Sequence, residues 1–533
     1  MKFNWKKLDL PQKLFLGLCA LQLLVNLVWI VLDTQIPAWD QAGHTRLTLE
    51  FVDNWAQPDQ NPKSFWQISS YYPPFIHWQT AIVMRFFGRN PDWGGFVVTA
   101  YCLLLSAGIY KLSNRLWRNR WLGLLAATLV AFMPVIYTNS RWFLLDISLL
   151  AFTVWSWYFL WQSDFFTRRR ETILFALTVA AVLLTKWTGV VFLAVPLIFV
   201  LLKIIQKNLW SKVWRNLCLA FLIVLILISP WYITNFRSIL AAAAVSTVGE
   251  MDDPQVLWSL ENWRYYLWEF LGFQVGLIPG LAMLTATIIY FCKKDNPYRL
   301  LFGSFLIVGY VIFSFLSNKD IRYDLPLLVP IAMLAAATII QLWQKRQKIW
   351  STVLLVLTVG WLGIFYFVLS FNLLPDYQKA FNFGPFGWLD VINTTDTVVA
   401  YPQSDRRTNA LIIEDLVRLA KGNKASVLVG IDQRTLSAST LHYWSQLQKF
   451  THLTFIAVPA ELDFADQQVL QGYLNNFDYF IFSAQATGVS ASRALSNLEL
   501  LQQYLLNNSQ FTNQVVYEGG DGKIFLLAKA TQS

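Results

Sequence analysis

The sequence predicts an α-helical polytopic membrane protein, with about 11 transmembrane helices and a C-terminal extracytoplasmic α/β domain. Composition gives the first reason: 56% of the 533 residues are hydrophobic and only 14% are charged, with 25 Trp and 40 Phe. That is more apolar and aromatic bulk than a soluble core of this size uses. The second is a series of eleven apolar runs, each near the roughly 20 residues needed to cross a bilayer. The third is a change after Asn372, where hydropathy drops and short β-rich runs alternate with helical ones, the pattern of a small α/β domain with a largely parallel sheet.

The apolar runs cover 13–32, 94–112, 121–138, 142–162, 171–185, 188–206, 214–233, 271–292, 299–317, 325–343 and 350–372. The first has no small-residue cleavage site after it and reads as a retained span. The stretch "LLTKWTG" at 183–189 separates the fifth run from the sixth with a Lys and a Gly. Direction follows from the basic residues. Lys2, Lys6 and Lys7 precede the first run, and every second connection is basic: Lys111 to Arg120, Arg168 to Arg170, Lys203 to Arg215, Lys293 to Arg299, and Lys345 to Lys348. Under the positive-inside bias these segments are cytoplasmic. The N-terminus is then inside, and 373–533 lies outside as a soluble domain following a membrane domain at 1–372. The formal charge of +10 therefore points to topology and not to nucleic acid. The four Cys fall in or beside apolar runs with no CxxC spacing, which indicates neither a metal site nor a disulfide framework.

The other connections belong to the outer face. The 33–93 loop holds two one-sided patterns. "AGHTRLTLEFVDNW" at 42–55 sets Leu47, Phe51 and Trp55 at steps of four, and "PPFIHWQTAIVMRFFG" at 73–88 opens with two prolines. Both predict amphipathic helices lying in the interface. In the tail, "TVVAY", "ASVLVGI", "LTFIAV", "YFIFSA", "QVVYEG" and "KIFLLAKA" are candidate strands, and "EGGDGK" at 518–523 is a candidate hairpin turn. The tail has neither GxGxxG nor a P-loop, and reads as a structural or acceptor-handling module. Ionisable residues are rare within the runs and gather on the outer face: Asp40, Asp146, Lys186, Glu269, Lys319 and Arg322. Charge in a membrane is costly and marks a site more often than not.

The order of several short motifs on that face resembles the GT-C superfamily of polyprenyl-phosphate-sugar-dependent glycosyltransferases, in particular the protein O-mannosyltransferase and aminoarabinose-transferase group. The motifs are "PAWDQAGH" after the first run, "YYPP" at 71–74, "SRWFLLD" at 140–146, "LLTKWTG" at 183–189 and "NKDIRYDLPLLVP" at 318–330. Together they span roughly 10–340. The chain departs from the pattern at two of these motifs. Gln41 stands where protein O-mannosyltransferases follow the acid with Glu, and Tyr71 and Tyr72 stand where aminoarabinose transferases have Glu-Lys.

The resemblance implies inverting transfer of a sugar from a polyprenyl-phosphate carrier to an extracytoplasmic acceptor: a lipid, a polysaccharide or a protein. The partners are then membrane lipid, the lipid-linked sugar and an unknown acceptor, with no nucleic acid. The alternative is a transporter or flippase of a lipid-linked saccharide. Asp40 is the implied base or acceptor orienter, against a plain reading as a helix N-cap; desolvation is expected to raise its pKa. Asp146 needs a partner, for which Arg141, Lys186 and Arg322 are candidates. Arg322, Lys186 and Lys319 are candidates for the donor phosphate, against snorkelling of basic side chains. His44 and Tyr72 are candidates for the sugar or acceptor, against a satisfied interfacial His and an aromatic belt. No cofactor is expected. Asp40 with Asp146 could hold a divalent ion, but nothing in the spacing calls for one.

Overall fold

The computed structural model describes residues 8–56, 64–248, 257–293, 296–316, 319–373, 378–393, 401–402, 407–459, 462–483, 492–508, 510–519 and 522–529. Each of the eleven apolar runs carries helix within the described residues. The order is α1 (Leu10–Leu32), α2 (Trp39–Ala56), α3 (Phe75–Phe87), α4 (Asp92–Trp117), α5 (Arg120–Ala131), α6 (Pro134–Asn139), α7 (Asp146–Gln162), α8 (Arg169–Thr185), α9 (Val190–Gln206), α10 (Trp210–Val248), α11 (Leu260–Glu269), α12 (Leu277–Phe291), α13 (Arg299–Phe315), α14 (Leu325–Gln344), α15 (Lys348–Leu355) and α16 (Trp361–Ser370). Among the described residues, six helical stretches are long and apolar enough to cross a membrane by themselves. The chain is a multi-pass membrane protein.

Local sequence explains where the helices depart from the apolar runs. The third run splits because Pro134, which has no N–H, starts a new helix at its first position. The fourth starts only at Asp146, so 141–145 forms an irregular turn. The last run is one continuous path interrupted by a π segment, Val356–Gly360. The 39-residue α10 rises about 1.5 Å per residue and outruns any bilayer core. A polar helix, α11, lies in what reads from sequence as an outer loop, and continues into a second π segment, Phe270–Gln274.

The helix α14 runs through the core. Ala332, Ala335, Ala336 and Ala337 are fully buried, and such small side chains let neighbouring helices approach closely. The basic turns meet at one end of the bundle, where Arg120 pairs with Asp9 at 2.5 Å and the Tyr298 hydroxyl donates to the Leu116 carbonyl at 2.8 Å.

Helices α2 and α3 cover the opposite end, as their amphipathic patterns predict. The buried face of α2 differs from the expected one. Ala42, Thr45, Leu49 and Val52 are buried along with Phe51, while Leu47 and Trp55 sit on its flanks. The reason is a second layer: α18 (Ala438–Leu447) of the tail packs on α2, with Tyr443 buried in the same apolar cluster as Leu49 and Phe51.

The tail opens with an antiparallel pair, β1 (Gln378–Asn382) and β2 (Trp388–Asn393). Next come α17 (Arg407–Ala420), β3 (Ala425–Gly430), α18, β4 (Leu453–Ala457), α19 (Gln467–Leu474), β5 (Tyr479–Ser483), α20 (Ser492–Asn507), β6 (Phe511–Gly519) and β7 (Gly522–Lys529). The run "TVVAY" falls almost wholly outside the described residues. The sheet order is β4-β3-β5-β7-β6. Strand β3 is parallel to β4 and β5, but β7 is antiparallel to β5 and β6. The expectation of a largely parallel sheet is therefore corrected to a mixed one. The cause is the β6–β7 hairpin at "EGGDGK", too short for the crossover a parallel pair needs. Alternation along β3 builds a core on each face: Val427 and Val429 point to the side of α17 and α18, and Leu428 to the side of α19 and α20.

Candidate active site

Five charged side chains from four connections meet at the end of the bundle away from the basic turns. Asp40 stands in the first turn of α2. It is not the cap, because the Ala38 carbonyl already accepts from Gln41 and Ala42. Asp146 opens α7 and is 5% exposed; a carboxylate suits a helix N-terminus, whose dipole is positive. Lys186 occupies the break between α8 and α9, with extended backbone (φ −153°, ψ 127°). This explains the "LLTKWTG" interruption: leaving the helix lets the ammonium reach Asp146 Oδ1 at 2.9 Å. It also lies 4.8 Å from the centre of the Tyr323 ring.

Arg322 lies at the centre. It sits in the turn before α14, where the Arg322 N–H and Nε donate to Asp320 at 2.8–2.9 Å. From there Nη2 donates to Asp40 Oδ2 at 3.0 Å, and Nη1 lies 4.0 Å from Asp146 Oδ2. One guanidinium thus holds three carboxylates, with Lys186 as the second cation. Burial works against the charge on Arg322, but Asp320, Asp40 and Asp146 outweigh it and raise its pKa. At Asp40 burial raises the pKa, yet the Arg322 and His44 charges bring it below the usual carboxylate range. The expected upward shift is thereby corrected. Asp40 keeps 46% of its side chain exposed, so it remains within reach of a ligand.

His44, one turn after Asp40, is buried and shares a hydrogen bond with His77 of α3, Nδ1 to Nε2 at 3.1 Å. Burial pushes its pKa down to about 4, against the pull of Asp40 and Asp146. Tyr72 meets the His44 ring edge-on, with centroids 4.7 Å apart.

Two predicted residues do not join this cluster through the contacts the structure shows. Lys319 turns its ammonium to the carbonyls of Phe313 and Ser314, at 2.8 and 3.0 Å, over the Tyr266 ring. Arg141 does not pair with Asp146. It donates to Asn26 Oδ1 and Ser370 Oγ and lies among the rings of Trp29, Tyr137 and Tyr366. Sequence reading missed Asp320, although its signal is present: an acid two residues before Arg322 is placed to form an Asx turn. It also missed Gln274, in the π segment, which donates to the Ile321 carbonyl at 2.8 Å and to Asp324 at 2.6 Å. Gln274 thereby clamps both flanks of Arg322.

Among the described residues no three His, Cys, Asp or Glu side chains form a metal-binding group. A cleft lies on the other flank of α2, lined by Trp29, Pro37, Gln41, Thr45, Trp142 and Arg434. It contains none of the five clustered residues.

The chain is similar to known proteins in sequence and in fold. Residues 18–243 match the family described as dolichyl-phosphate-mannose-protein mannosyltransferase. The structure superposes on ArnT from Cupriavidus metallidurans with a TM-score of 0.60 at 14% identity, covering 98% of this chain and 99% of that one. The chain has the same fold as ArnT, a GT-C fold. The mycobacterial arabinofuranosyltransferase AftD shares this GT-C fold with it, at a TM-score of 0.60 and 13% identity, over 98% of this chain and 40% of that one. By sequence, the undecaprenyl phosphate-alpha-4-amino-4-deoxy-L-arabinose arabinosyl transferase of Aeromonas salmonicida is 24% identical over 354 residues, 62% of this chain. The match spans 61% of that relative's length. The second such transferase of Sodalis glossinidius is 27% identical over 255 residues, 45% of this chain and 44% of its own.

Proposed function

We propose that the chain is an inverting glycosyltransferase. It takes a sugar from a polyprenyl-phosphate carrier and transfers it to an acceptor on the extracytoplasmic side. The observation that carries the reading is Arg322, shared between Asp40 and Asp146 beside Lys186, at the bundle end away from the basic turns. The positive-inside bias puts those turns in the cytoplasm and the cluster outside, where nucleotide sugars are absent and a lipid-borne donor is available. Two cations at one bundle end suit a phosphate whose tail lies in lipid. The relatives named above support the donor class, and the ArnT of C. metallidurans has also been solved bound to undecaprenyl phosphate.

The geometry suggests an order of events. With no donor, three carboxylates compete for Arg322, and Asp40 is a poor base because the guanidinium holds it ionised. A donor phosphate arriving at Arg322 and Lys186 displaces Asp40 from Nη2. Asp40 then takes the proton of the acceptor hydroxyl as the oxygen attacks the anomeric carbon opposite the phosphate. The bond from that carbon to the phosphate oxygen breaks, and its electron pair leaves with the phosphate, which Arg322 and Lys186 stabilise. Attack from the opposite side inverts the anomeric configuration.

The test is turnover of a short-chain polyprenyl-phosphate sugar by the purified protein in detergent, with no membrane gradient. The expected result is free polyprenyl phosphate, with the sugar on an acceptor in the inverted anomeric form. A protein that performs no such chemistry with any sugar offered, yet moves a lipid-linked saccharide across liposome bilayers, is a flippase, and the proposal fails.

A further inference from the structure

The residue before Asp40 is strained. Trp39 has φ +32°, a left-handed conformation that is uncommon for a side chain other than glycine and persists where surrounding contacts enforce it. The same residue is held from far along the chain: Trp39 Nε1 donates to Asp432 Oδ1 at 2.9 Å. Asp432 follows β3, at the C-terminal ends of the parallel strands, where ligand-handling loops of α/β sheets gather. Its loop is itself fastened. Gln433 and Leu436 exchange backbone hydrogen bonds at 3.0 and 3.2 Å, and the Asn409 side chain donates to the Thr435 carbonyl at 2.6 Å. A near neighbour in the loop, Arg434, lies over the Trp142 ring at 5.3 Å, four positions before Asp146.

The tail also grips α2 further along, independently of this loop. Gln446 of α18 donates to Asp53 at 2.9 Å, and Arg89 bridges Asp53 and the Gln446 carbonyl. Those contacts lie more than three turns from Asp40, whereas the contact from Asp432 lies one residue from it.

We propose that the α/β tail supports the acceptor site through Asp432 and Trp39, which act as positioning residues and touch no reacting group. The hydrogen bond fixes the first turn of α2 in its left-handed entry and so sets Asp40 against Arg322. This rests on the reading of Asp40 as the acceptor base. It assigns the tail a task in the transfer step, since a shift of about 1 Å at a reacting group costs on the order of a hundredfold in rate.

Asp432→Leu removes the acceptor at similar size, Trp39→Phe removes the donor and keeps a ring, and Asp432→Asn keeps an acceptor oxygen. Gln446→Leu loosens the other grip as a control. The two disabling substitutions are expected to lower kcat by about tenfold or more, leave the KM for the donor within about twofold, and add nothing when combined, as members of one contact do. Asp432→Asn and Gln446→Leu are expected to stay within about twofold of wild type in both. Hydrogen exchange of the intact protein is read alongside, because it needs no turnover. Asp432→Leu should speed exchange at 40–44 and leave 48–56 unchanged. Unchanged exchange at 40–44, or a Gln446→Leu loss equal to that of Asp432→Leu, overturns the positioning role. Faster exchange at 40–44 in a protein whose wild type transfers no sugar retains the clamp and overturns the proposed function instead.

Discussion

At the scale of single residues, the cluster sets out a competition among three carboxylates for one guanidinium. Asp40→Asn keeps the size of the side chain and its first-turn position, but offers no base. Turnover is expected to fall to background while donor binding persists; near-normal turnover would mean that the carboxylate does no proton work. Arg322→Ala is expected to weaken donor binding by roughly 2–5 kcal/mol, the range for a desolvated charged contact that loses one partner, and titration with a polyprenyl phosphate measures it. Arg322→Lys should recover only part, since an ammonium keeps the charge and loses the planar fork that reaches Asp320 and Asp40 together. Equal affinity in all three proteins would remove Arg322 from the donor site. Asp146, Lys186 and Arg322 are legible in the sequence because they interrupt or border apolar runs, where an ionisable group is conspicuous, and Asp40 through its place in "PAWDQAGH". Asp320 is not, since an acid in a polar turn looks ordinary. Lys319 misleads in the other direction: it shares a turn with Arg322, but its side chain caps the carbonyl end of α13. Sequence proximity does not fix side-chain direction in an irregular segment.

At the scale of elements, the structure shows what holds that turn in place. The π segment Phe270–Gln274 aims Gln274 at both the Ile321 carbonyl and Asp324, and π bulges recur at functional sites. Burial raises the pKa of Asp324, outside the span at the start of α14, from 3.8 to about 7. Between those values the folded chain holds a proton that the unfolded chain has lost. Stability should therefore fall as pH rises from about 4 to about 7, and stay level above. Asp324→Asn keeps the acceptor for Gln274 and cannot ionise. The difference in melting temperature between pH 5 and pH 8, in detergent, should be smaller in this variant than in wild type; equal differences would show that Asp324 does not titrate in this window. Apolar periodicity finds the long helices and Pro134 could locate the α5–α6 break, but neither gives a sign of α11 or the π segments. A π turn adds one residue to a helix whose composition is unchanged, and α11 is too polar to register against its neighbours.

At the scale of the whole molecule, every functional statement depends on which way the bundle faces. The basic turns converge at one end, and the five-residue cluster lies at the other, under α2, α3 and the tail. A membrane protein gains its orientation from Lys and Arg in short connections, not from its total charge. All the predicted cytoplasmic turns agree in sign, and a single reversed turn would have broken the alternation. A phosphatase that folds only outside the cytoplasm, fused after Asn372, should therefore be active, and the same reporter after Arg170 inactive. The reverse result would place Arg322 and Lys186 beside cytoplasmic nucleotide pools. A lipid-borne donor would then lose its rationale, because a soluble nucleotide sugar could serve the same two cations. The tail sharpens this consequence. It packs α18 on α2 and holds Trp39 through Asp432, so the compartment that receives it also receives Asp40, and under the proposed function the acceptor is expected on that side.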